Sequence, residues 1–187
     1  VRALTRRNEA WDSSPTWSPD GQTILFTYST IASFGALQTV PASGGAITHL
    51  PVRGEAPSWG SDRIAFLDET KAPTRVWTAA PDGTDRRRVA VSGNPFALAS
   101  SGDGRLAVAT GVAGRFGIDV VGPAGTRRLP FSFANLCDVA WSPDGTELAV
   151  AARRAGDAVC DVWVVPVGGG AMRRLTRDYD VLSLSWR

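Results

Sequence analysis

Apolar and polar positions alternate in short runs along this chain. The clearest stretch is 138–175. Val139 and Trp141 alternate with Ala140, Leu148 and Val150 share one face of the next run, and residues 160–165 are mostly apolar and β-branched. Period-two runs of four to eight residues, bounded by Gly, Pro and Asp, predict strands. Four of them follow one another: A at 138–142, B at 147–152, C at 160–165 and D at 171–175. Pro143-Asp144-Gly145 joins A to B. Proline presets φ at the first turn position, the aspartate bonds nearby backbone, and glycine takes the left-handed conformation. Gly168-Gly169-Gly170 joins C to D, and a variable loop over 153–159 joins B to C. Strand C, nearly all apolar, is expected to be buried on both faces.

The same four-strand unit recurs. Earlier copies place B, C and D at 23–28, 36–40 and 46–50, then at 63–68, 75–80 and 86–91, then at 105–110, 116–121 and 126–130. The end of strand A marks the register: Trp17, Trp59, Ser100, Trp141 and Trp186, spaced by 42, 41, 41 and 45 residues. The A–B turn repeats with it, as Asp20-Gly21, Asp103-Gly104 and Asp144-Gly145, while the second copy loses two residues there. A fixed period of this length with four strands per repeat predicts an all-β chain, a β-propeller of four-stranded antiparallel blades. The blades are expected at about 13–50, 56–91, 96–130 and 138–175. Residues 1–6 match the fourth strand D and 182–187 match a strand A, so a partial blade is expected at each end. Open blade faces there would expose apolar surface. The chain is therefore expected to be one segment of a longer propeller, or else to close by pairing with another chain, self-associating through those faces. The repeated tryptophans are expected to pack between blades, where aromatic side chains bury much area.

Charge adds little to this. The net charge is +2, with Lys71 the only lysine. Arginine pairs at 6–7, 87–88, 127–128, 153–154 and 173–174 fall mostly on or beside strand D, where charges discourage edge-to-edge pairing. Without a concentrated basic face, no nucleic-acid partner is expected. No apolar run is long enough to cross a bilayer, so direct membrane insertion is not expected. The first residue is Val1 and no signal peptide is visible in these residues.

Catalytic constellations are not visible. His49 is the one histidine and falls on a strand D, where solvation or a structural bond is the expected role. No Gly-x-Ser-x-Gly elbow or phosphate-binding loop occurs, and one histidine excludes a multi-histidine metal site. No catalytic residue, metal or cofactor is assigned. Asp20, Asp103 and Asp144 read as turn caps. The D-to-A connections meet at one end of a propeller, and they carry a mixed acidic and aromatic set: Glu9, Trp11, Asp12, Glu55, Asn94, Phe133, Asn135, Asp138 and Tyr179. This is the candidate ligand face, for a protein partner or a small ligand. Cys137 precedes a strand A and Cys160 opens a strand C of the same blade. Regular positions two strands apart stand about 9.5 Å from each other, too far for a disulfide. An irregular strand end would close the gap, so a disulfide and a pair of buried thiols both stay open.

The run Pro15-Thr16-Trp17-Ser18-Pro19-Asp20-Gly21-Gln22-Thr23-Ile24-Leu25-Phe26 resembles the repeat of TolB-like, WD-repeat-like propellers. So do Trp141-Ser142-Pro143-Asp144-Gly145-Thr146-Glu147-Leu148-Ala149-Val150 and the segment from Val162-Trp163-Val164-Val165 to Arg174-Leu175-Thr176. The likeness covers nearly the whole chain and is degraded in blades two and three, where Gly60 or Gly102 stands at the Ser-Pro step. It implies six blades in the complete protein, a bacterial protein-binding role, and a periplasmic or extracellular location. The same repeat also occurs in propeller domains of prolyl oligopeptidase-family serine peptidases and in extracytoplasmic sensors of signalling kinases. Those remain the alternatives to a non-catalytic binding module.

Overall fold

The computed structural model describes residues 3–5, 10–70 and 72–186. They form two compact units, Val1–Arg88 and Val89–Arg187. The first holds two antiparallel four-stranded sheets. One is β1 (Ala10–Trp17), β2 (Thr23–Thr30), β3 (Ser33–Pro41) and β4 (Thr48–Arg53); the other is β5 (Glu55–Trp59), β6 (Ile64–Asp68), β7 (Arg75–Ala79) and β8 (Arg87–Val89). The second unit holds β9 (Asn94–Ser100), β10 (Leu106–Val112), β11 (Arg115–Gly122) and β12 (Gly125–Arg128), then β13 (Asn135–Trp141), β14 (Glu147–Arg153), β15 (Asp161–Pro166) and β16 (Arg173–Arg174). Every sheet runs A-B-C-D in chain order, so each strand pairs with its sequence neighbour. No described residue is helical.

Within each unit the two sheets pack face to face, with strand A of the later sheet against the earlier one. In the second unit, Leu136, Val139 and Trp141 of β13 share a core with Ala97 of β9, Ala107 and Ala109 of β10, and Ile118 of β11. In the first, Leu25, Leu37, Ile64 and Phe66 form the core, and Trp59 packs against it. Burial is most complete on strand B rather than on C alone: Ile64–Leu67, Leu106–Thr110 and Leu148–Ala152 are all buried. Strand B lies between A and C, and its alanines (Ala65, Ala107, Ala109, Ala149, Ala151) leave room for the facing sheet. Trp141 is 6% exposed and its indole N–H donates to the Ala99 carbonyl at 2.9 Å, bridging two blades. Trp17, which no earlier sheet among the described residues covers, stays 46% exposed.

The A–B turns are built alike. Ser18 and Ser142 each donate from Oγ to Asp20 and Asp144 at 2.6 Å, and accept the N–H of Thr23 and Glu147 at 2.9 Å. Ser101 donates to Asp103 in the same way. Gly21, Gly104 and Gly145 follow with φ of +69°, +85° and +68°. The serine bonds hold the Asp20 and Asp144 carboxyls below the ordinary aspartate value, and at Asp103 the Arg105 guanidinium does so first, with Ser101 after it. The aspartates are therefore occupied in shaping the turn.

Strand D does more than guard an edge. Arg174 lies opposite Trp163 in the β15–β16 ladder, and its guanidinium sits 5.4 Å from the indole centroid. Arg128 lies opposite Asp119 and bonds its carboxylate at 2.9 Å. Arg86 stacks 3.9 Å over Trp77. In the first sheet His49 lies opposite Gln38, with His49 Nδ1 and Gln38 Nε2 3.1 Å apart. The lone histidine thus has the same capping place as the arginines, which accounts for it structurally.

At the two chain ends the described residues form no strand. Of residues 1–6, Val1, Arg2 and Arg6 lie outside the described residues, as do Arg7, Asn8, Glu9, Lys71 and Arg187, and Ala3–Thr5 form no strand. Residues 182–186, expected as a strand A, form no strand either. In the four sheets strand A is held by a ladder to strand B, and no described strand offers that ladder to 182–186. Leu184 N–H instead donates to Asp138 at 2.8 Å and Val181 N–H to the Cys160 carbonyl at 2.9 Å.

Candidate functional site

An up-and-down sheet places the start of A, the end of B, the start of C and the end of D at one end. In each unit this end carries the D–A connections and the B–C loops.

In the first unit it presents apolar side chains to solvent. Trp11 at the start of β1 is 46% exposed, Ile31 in the β2–β3 turn 82%, and Phe34 at the start of β3 59%. The Trp11 and Phe34 rings lie 5.9 Å apart, tilted by 59°. Arg53, at the end of β4, donates to the Phe34 carbonyl at 2.9 Å and to the Ser33 hydroxyl, which fixes the start of β3 that carries Phe34. Asp12 is exposed beside Trp11. Glu55 opens β5 and is half-buried; burial, helped by the charge of Glu69, pushes its carboxyl up. Of the expected ligand-face residues in this unit, Trp11 and Asp12 are open to solvent, Glu55 is partly so, and Glu9 lies outside the described residues. Ile31 and Phe34 were missed, although two apolar residues in a Ser-Thr-Ala turn are a visible anomaly.

In the second unit several candidates carry structural duties. Phe133 is 3% exposed and exchanges backbone hydrogen bonds with Phe116 at 2.8 and 3.1 Å, so it is a buried wall rather than an exposed contact. Asp138 accepts the N–H groups of Val139 and Leu184, both at 2.8 Å. Burial pushes its carboxyl up against those two bonds. Asn135 directs its Nδ2 to both Cys137 and Cys160 Sγ at 3.8 Å. Asn94 and Tyr179 are exposed.

Cys137 and Cys160 form a disulfide, with Cα atoms 6.9 Å apart. The regular two-strand separation is broken by a bulge: the β13–β14 register shifts between Leu136 and Asp138, leaving Cys137 as the extra residue. Every strand A carries such an irregularity. In β1 it falls between Ser13 and Thr16, in β5 between Glu55 and Ser58, and in β9 across Phe96.

Asp161, adjoining the disulfide, is fully buried. It accepts Thr176 Oγ1 at 2.8 Å, the N–H groups of Tyr179 and Asp178 at 3.2 and 3.3 Å, and the Arg174 guanidinium. Burial pushes the carboxyl up, but the Arg174 and Thr176 hydrogen bonds, the Tyr179 N–H and the Arg174 charge outweigh it and hold it at about 2. Asp161 thereby pins the connection that carries Tyr179. Sequence reading assigned it only to an apolar strand. A cleft of about 380 Å³ opens at the same end, between Arg115, Ser132, Phe133 and Arg154. Among the described residues no three His, Cys, Asp or Glu side chains converge as a metal site.

No protein-family model matches the sequence, and no curated protein matches it. Solved structures do match in fold. TolB from Acinetobacter baumannii superposes with a TM-score of 0.75 at 19% identity, over 89% of this chain and 43% of that one. A puromycin-hydrolysing peptidase of Mycobacterium tuberculosis gives 0.73 at 17%, over 97% and 31%. The β-propeller domain of the trilobed protease from Pyrococcus furiosus gives 0.64 at 13%, over 91% and 58%. With the four A-B-C-D sheets, these likenesses define an all-β chain of the β-propeller class. The form of propeller is TolB-like, a fold shared with TolB structures from two bacteria.

Proposed function

We propose that this chain is a non-catalytic binding module that takes a protein partner on the D–A and B–C end of its first unit. The observation that carries this is the exposed Trp11–Phe34 ring pair, with Ile31 open to solvent in the β2–β3 turn. Large aromatic side chains left open to solvent on a rigid sheet end are the usual anchors of protein recognition. Asp12 and Arg53 supply a charged rim. The Cys137–Cys160 disulfide supports an oxidising, extracytoplasmic compartment. The test is retention of a partner on immobilised native protein against Trp11→Ala/Phe34→Ala. A partner held by the native chain and by an Arg115→Gln control, but not by the aromatic variant, supports the reading. Equal retention by all three rejects it.

A second reading makes the chain the propeller part of a larger peptidase. It is favoured by the superposition on the M. tuberculosis peptidase, of which this chain covers 31%. A Gly-x-Ser-x-Gly segment in the same reading frame, beyond the residues given, would favour it. Fold alone decides neither.

A further inference from the structure

The cleft at the D–A and B–C end of the second unit has cationic walls with no anion of their own. The other arginines with charged or backbone partners in this unit are occupied: Arg105 by Asp103, Arg128 by Asp119, Arg174 by Asp157 and Asp161, and Arg127 by the Val167 carbonyl. Arg115 and Arg154, which line the cleft, make no ion pair with any described carboxylate. The nearby acids are committed. Asp157 accepts the Arg154 backbone N–H at 3.1 Å and Arg174 at 3.3 Å, and Asp138 accepts two backbone N–H groups. Adjoining Arg154, the Nε of Arg153 is buried without a hydrogen-bond partner. The Arg154 guanidinium carbon lies 5.7 Å from the Trp163 ring, so an aromatic face steadies it without neutralising it. Phe133 supplies an apolar wall fixed by its two backbone bonds to Phe116. The exposed Ser132 adds a hydroxyl.

A guanidinium fork matches carboxylate and phosphate oxygens, and such charge-assisted bonds are the strong ones. About 380 Å³ is the size of a small-molecule pocket. We propose that this cleft binds a small organic anion, its carboxylate or phosphate held between Arg115 and Arg154 and its body against the lining formed by Ser132–Ala134 and Ala155. This site does not depend on the partner surface of the first unit.

The probes are benzoate and phenyl phosphate, with inorganic phosphate and benzyl alcohol as controls, titrated into the whole chain at low salt by calorimetry and amide NMR. Saturable one-to-one binding of an aromatic anion is expected, with shifts at the Ser132–Ala134 amides and none from benzyl alcohol. Tighter binding of phenyl phosphate or of benzoate tells which oxyanion the site prefers. Arg115→Gln and Arg154→Gln should each weaken binding roughly tenfold or more, whereas Arg173→Gln, on exposed β16, should not change it. Melting curves check that each variant folds. If Arg154→Gln does not fold, Arg115→Gln and the amide shifts decide. No saturable binding of either aromatic anion, or unchanged affinity in Arg115→Gln, overturns the proposal.

Discussion

Removing the Cys137–Cys160 bond tests how the fourth sheet is held. The cysteines are separated by 23 positions in the sequence, and the bond ties strand A to strand C across B. Most of its effect falls on the unfolded chain, which loses loop-closure entropy when cross-linked. For a loop of this length the chain-entropy relation gives about 3 kcal/mol at 25 °C. The Cys137→Ser/Cys160→Ser variant leaves the β13–β14–β15 ladders in place, so the native state should keep its sheet. Against a urea slope of about 2 kcal/mol/M, the midpoint should fall by roughly 1.5 M. The assay is urea unfolding of native and variant protein, followed by amide exchange on β13 and β15 so that the second unit is read by itself. Reduction of the native chain should reproduce the variant's midpoint. A native midpoint that does not move on reduction, or a variant within about 0.3 M of the native one, would refute the reasoning, because either result means that the bond does not constrain the unfolded ensemble.

Other expectations follow from the same packing. Leu148→Ala removes a fully buried side chain from the second core and should cost roughly 2–5 kcal/mol by denaturant unfolding. Gly83→Ala adds a Cβ 2.8 Å from Pro51 Cδ at φ +83°, whereas Gly21→Ala meets nothing at φ +69°. The second should lose only the left-handed strain of about 1–2 kcal/mol, and the first clearly more, in a paired measurement of melting. Trp141→Phe forfeits the bond to the Ala99 carbonyl and should lose about 1 kcal/mol by urea unfolding. Acid should loosen the Asp161 anchor. Its folded value of about 2 lies below the ordinary 3.8, so the unfolded chain binds more protons between them. That stability is complete above about pH 4 and is lost as the pH falls toward 2. Asp161→Asn should flatten this limb of the stability–pH curve and remove exchange protection at Asp178 and Tyr179. Asp138, whose carboxyl is raised by burial, contributes with the opposite sign and does not produce an acid loss.

The repeat was legible in the residues themselves. Alternation set the strands, as in 147–152 against the observed Glu147–Arg153, and the Asp-Gly turns set where one strand hands over to the next. These are local effects, because turn chemistry and a period-two face act over a few neighbours and leave their mark in sequence. What the turn aspartates do was readable for the same reason. Tertiary structure decided the rest. Whether Cys137 reaches Cys160 depended on a bulge, which shifts register by one residue and has no fixed sequence sign. Whether an arginine is free or occupied depended on its surroundings: Arg128 meets Asp119 and Arg174 meets Trp163, while the Arg115 and Arg154 guanidinium groups make no ion pair with a described acid. Phe133 and Asp138, expected on the candidate ligand face, are a buried wall and a backbone anchor. Sequence specifies what each residue can bond to, but partners dozens of positions apart are chosen only when the sheets pack.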